Sequence, residues 1–83
     1  MTIQKIAQEL YDSLSIDGKR YIYRLPEQEI PKLCLGFGMT IQTQYLQGKP
    51  KPEDAVSDNP EYIVLEIIQA MWKIANSESE ITE

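Results

Sequence analysis

The sequence predicts a mainly α fold, a small three-helix domain with helices over about 3–14, 31–47 and 60–76. Two observations carry that prediction. Apolar residues recur at helical spacing at both ends of the chain, and prolines, acids and a glycine stand where helices start and stop. A third observation bounds it. Eighty-three residues make at most one small domain. So short a chain buries only about 60–65% of the surface it exposes when unfolded, so its core is marginal by itself.

The first helix rests on TIQKIAQELYDSL. Ile3, Ile6, Ala7, Leu10, Tyr11 and Leu14 share one face, and Gln4, Lys5, Gln8, Glu9 and Asp12 share the other. Thr2 is a suitable N-cap, because its hydroxyl can accept a free first-turn N–H. Ser15-Ile16-Asp17-Gly18 then reads as a tight turn, since Asp-Gly tolerates positive φ. On that reading Lys19 to Leu25 is a strand, with Tyr21, Tyr23 and Leu25 alternating against Ile22 and Arg24. The result is a short β-hairpin near 14–25.

The middle supports two patterns. Period two places Leu33, Leu35, Phe37, Met39, Ile41 and Tyr45 on one side. That gives the alternative architecture, α+β, with an antiparallel sheet from 19–46 between two helices. Helical spacing instead puts Ile30, Leu33, Cys34, Phe37, Ile41 and Tyr45 in one stripe, with Leu35, Met39 and Leu46 in a second. The boundaries favour the helix. Pro26 and the acids Glu27 and Glu29 suit a first turn, Pro31 divides that turn from the main helix, and Gly48-Lys49-Pro50 suits an ending.

Lys49 to Asp58, KPKPEDAVSD, has the composition of a linker. Asn59 as N-cap, Pro60 at the first helical position and Glu61 beside it then open the last helix. Its core band is Ile63, Val64, Ile67, Ile68, Met71, Ile74 and Ala75. Tyr62, Leu65 and Trp72 lie on another side, and only a narrow polar stripe is left. Residues 1–76 are therefore expected to form one globular domain, and 77–83 a flexible acidic tail.

Composition narrows the function. Acids outnumber bases 13 to 8, for a net charge of −5, so nucleic acid and anionic membranes are poor partners. KRYIYR interleaves Lys19, Arg20 and Arg24 with Tyr21 and Tyr23, a pattern that can track a single strand, but the overall charge opposes it. No apolar run follows Lys5, so no signal peptide is expected, and no segment approaches the roughly 20 apolar residues of a membrane span. The single cysteine, Cys34, fits a reducing, cytoplasmic location.

Histidine is absent, which removes the common general base and the Ser-His and Cys-His nucleophile pairs. Cys34 sits among apolar neighbours, as an inert structural thiol does. Glu53, Asp54, Asp58 and Glu61 lack the alternation and central glycine of a calcium loop. No catalytic residue, metal site or cofactor is expected.

Three segments bear local resemblances to known families. Asp12-Ser13-Leu14 is similar to the Asp-Ser-Leu of acyl carrier proteins, but there the serine opens a helix and here the tripeptide closes one. IQKIAQELYDSLS is similar to the first helix of some bacteriocin immunity proteins, over a sixth of the chain. The segment Leu25 to Pro52, ending in YLQGKPKP, resembles the helix-turn-helix of small repressors and would imply a small regulator. Its second helix is short and its recognition positions offer Gln and Thr without arginine.

The reading that follows is a small acidic, non-enzymatic interaction protein, self-associating or binding a protein partner through Tyr62, Leu65 and Trp72. A homodimer is its simplest form. Against it stands the plainer view that the last helix is simply central, covered on both sides by its own chain. An alternative function is an acidic, nucleic-acid-mimicking inhibitor of a basic protein.

Overall fold

The computed structural model describes residues 2–56 and 58–77. Four helices form: α1 (Ile3–Ser13), α2 (Ile16–Arg24), α3 (Ile30–Ile41) and α4 (Pro60–Ser77). A 3-10 turn, Glu27–Glu29, leads into α3, and a π-helical turn, Gln42–Leu46, leads out of it. No strand occurs among the described residues.

α1 forms as its pattern predicts. Ile3, Ile6, Ala7, Leu10 and Tyr11 are buried. Thr2 Oγ1 accepts from the Lys5 N–H at 3.1 Å. A second cap comes from far along the chain, where Asp54 Oδ1 accepts from the Ile3 N–H at 2.6 Å. The connection from α3 to α4 is therefore fastened at Asp54. Pro52 is fully buried, and Ala55 packs against the core.

The β-hairpin near 14–25 does not form. Those residues hold two extended residues, Leu14 and Ser15, then α2 and its extended C-cap, Leu25. Ser15 explains the difference, because it is an N-cap rather than part of a hairpin turn. Its Oγ accepts from the Gly18 N–H at 3.2 Å. Asp17 then falls in the first turn and Arg24 in the last, each favourable to the helix dipole. The alternation also breaks, for Tyr23 and Leu25 pack against the core while Tyr21, which would share their side of a strand, is 57% exposed.

The alternative sheet over 19–46 fails for a similar reason. Leu33, Phe37 and Ile41 turn inward at a spacing of four, while Leu35 and Met39 turn outward. Period two would have put all five on one side. The predicted helix at 31–47 is instead α3 from Ile30 to Ile41, continued by the π turn, in which the Gln47 N–H reaches the Gln42 carbonyl at 2.8 Å. Gly48 ends it at φ 71°.

α4 is the axis of the fold. It packs against α1 most extensively, then against α3 and α2. Its seven buried residues are Ile63, Val64, Ile67, Ile68, Met71, Ile74 and Ala75, the predicted band residue for residue. Asn59 Oδ1 caps it by accepting from the Glu61 N–H at 2.9 Å. Ser77, assigned to the tail by the sequence, is the last residue of α4, and its hydroxyl donates to the Ile74 carbonyl at 2.9 Å. The rest of the expected tail, 78–83, lies outside the described residues. No helix among the described residues is long and apolar enough to cross a membrane.

Candidate interaction surface between α3 and α4

The three residues singled out on the last helix separate into two groups. Tyr62 and Leu65, one turn apart, open onto a groove between α3 and α4. Trp72 lies two turns further along and does not line it. Its indole N–H donates to the Leu25 carbonyl at 2.6 Å. That carbonyl is the C-cap of α2, where no helical N–H follows to take it. Trp72 thus fastens α2 to α4 and is half-buried in doing so. The fourth helix, absent from the three-helix expectation, is what covers this part of the apolar perimeter of α4.

The groove itself has a volume of about 440 Å³. Its α3 wall is Pro31, Cys34, Leu35, Gly38 and Met39, and its α4 wall is Glu61, Tyr62, Val64 and Leu65. Gly38 sets the floor. A Cβ there would stand 3.1 Å from Val64 Cγ1, so the missing side chain lets the two helices close at that level. Above the floor the walls diverge. Leu35 is 86% exposed, Met39 71% and Tyr62 58%. A second, smaller hollow continues past Met39 and Gln42 to Thr43, Leu46 and Pro60.

Leu35 and Met39 belong to this surface as much as Tyr62 and Leu65 do, yet the sequence reading did not place them there. The signal was present, since with Leu46 they form the second apolar stripe of the middle helix. A second stripe on a helix that already has a core stripe marks a face left over after the core is filled.

Electrostatics at the groove are spare. Among the described residues, Glu61 is its sole charged lining residue. Burial pushes the Cys34 thiol above its ordinary pKa, because a thiolate there would lose solvent. Two acids of the preceding connection are engaged elsewhere. Asp54 caps α1, and Asp58 pairs with Lys51. The hydrogen bond from Lys51, and then its charge, holds the Asp58 carboxyl below the usual range. Among the described residues no three Asp, Glu, Cys or His side chains converge as a metal site would need. The solvent face of α2 shows Ile16, Arg20, Tyr21 and Arg24, while Lys19 lies over the Tyr11 ring at 5.1 Å.

Compared with known proteins, the chain matches no family model, no curated protein and no solved structure.

Proposed function

We propose that this chain is a small interaction protein rather than an enzyme, and that it docks a protein partner on the surface shared by α3 and α4. One observation supports this most. Leu35, Met39 and Tyr62 stand mostly in water around an apolar groove, although nothing local to their helices requires apolar residues there. Scattered exposed apolar residues are ordinary, but a contiguous group flanking a groove is typical of a contact site. Tyrosine and methionine suit that role, one as a rigid anchor and the other as an adaptable filler. Trp72 is assigned a different part, holding α2 in place so that α4 presents Tyr62 and Leu65 correctly.

The test is capture with immobilised protein, comparing the wild type with the double substitution Tyr62→Ala, Leu35→Ser. Any partner, including an added untagged copy of the chain, should be retained by the wild type and lost by the double variant. Circular dichroism should show both folded alike. If the two baits retain the same proteins, the reading is wrong.

A further inference from the structure

We infer that the solvent face of α2 is a second docking surface, and that its occupant is a short acidic segment of a protein partner, gripped by Arg20 and Arg24. The helix carries three of the chain's eight cations and one of its thirteen acids. It is a net +2 island on a chain whose other residues carry −7. Arg20 and Arg24 stand one turn apart, and both are exposed. Like charges at that spacing oppose the helix.

The chain has acids to spare, yet it gives neither arginine one. Among the described residues Lys32 pairs with Glu29 and Lys51 with Asp58, while Arg20 and Arg24 pair with no carboxylate. Asp17, three residues before Arg20, forms no ion pair with it either. Beside the arginines, Ile16 is 53% exposed and Tyr21 57%. Arginine and tyrosine are frequent anchors of protein contacts. The face is also held in place. Ser15 caps the start of α2, Ile22 is buried, and Trp72 takes the Leu25 carbonyl at the end. None of these residues lines the α3–α4 groove, so the two surfaces are separate.

Charge complementarity calls for an anionic partner, and the size of the patch selects which kind. Nine helical residues span only about 13 Å. Along the chain acids resume on both sides of the arginines, Asp12 and Asp17 before them and Glu27 and Glu29 after. A nucleic-acid strand or a bilayer overruns so short a patch and meets those acids. A peptide need not. Alternate residues of an extended segment place two carboxylates about 6–7 Å apart on one side. That matches the spacing of two side chains one helical turn apart. Each guanidinium can then hold a carboxylate through two parallel N–H donors.

Fluorescence anisotropy of a labelled hexaglutamate peptide tests the inference at about 20 mM salt, where exposed charges are least screened. Circular dichroism verifies each fold. Binding to the wild type should saturate. The double variant Arg20→Gln, Arg24→Gln should bind at least about tenfold more weakly. Lys5→Gln, Lys73→Gln removes the same charge from exposed positions on α1 and α4 and should bind as the wild type does. No saturable binding by the wild type up to about 1 mM overturns the inference. Equal losses in the two double variants overturn it too, because general charge would then suffice. So does tighter binding of labelled hexathymidylate or of phosphatidylserine vesicles than of the peptide, since the arginines would then be a phosphate site.

Discussion

The two glycines of α3 give a sharp test of how this structure is held together. They are the same residue in the same helix, two positions apart, yet they face different surroundings. Alanine is favoured over glycine in a helix interior by about 1 kcal/mol. At Gly36 that gain is unopposed, since the new Cβ meets nothing within 4 Å. Gly36→Ala should therefore stabilise the fold by about 1 kcal/mol, raising Tm by about 4–8 °C for a domain this size. At Gly38 the same Cβ falls 3.1 Å from Val64 Cγ1 and 3.9 Å from Cys34 Cβ. Val64 is only 3% exposed and sits on the central helix, so it has little room to yield. Overpacking of this kind costs about 1–3 kcal/mol, which cancels or exceeds the helical gain. Gly38→Ala should be neutral or destabilising by up to about 2 kcal/mol. The assay is urea or thermal unfolding followed by circular dichroism, with protein dilute enough that association does not contribute. If both variants gain stability equally, α3 and α4 are not in close contact at Gly38, and the groove described above lacks its floor.

Other consequences follow from single contacts. Trp72→Phe keeps most of the ring but leaves the Leu25 carbonyl without its partner. It should cost about 1–2 kcal/mol in urea unfolding, whereas no loss would mean that the indole bond does not hold α2. Asp54→Ala removes the acceptor for the Ile3 N–H and should cost about 1 kcal/mol. Asp54→Asn, which keeps an acceptor, should recover most of it. Because burial raises the Cys34 pKa, less thiolate is present at pH 8 than in a free cysteine. Its reaction with a disulfide reagent should be slower than that of the urea-unfolded chain, and equal rates would place the thiol in open solvent.

Some of this molecule was legible residue by residue before any fold was known. The buried band of α4, the core face of α1, and the caps at Thr2 and Asn59 depend only on which residues fall on one side of a helix and which hydroxyl or amide precedes it. α2 was harder, because nine residues with one buried side chain, Ile22, satisfy period two nearly as well as period 3.6. Ser15 was the deciding local signal, and Asp17-Gly18 obscured it.

Two of the three residues picked on α4 meet at the groove, while Leu35 and Met39 came into view only with the fold. The sequence by itself determined which residues share a face, because that follows from about 100° of rotation per residue. Tertiary structure decided what lies against each face. It put α2 over Trp72 and Asp54 at the start of α1, and it left Leu35, Met39 and Tyr62 uncovered. Those outcomes turn on contacts between segments as far as 51 residues apart, which local periodicity does not encode.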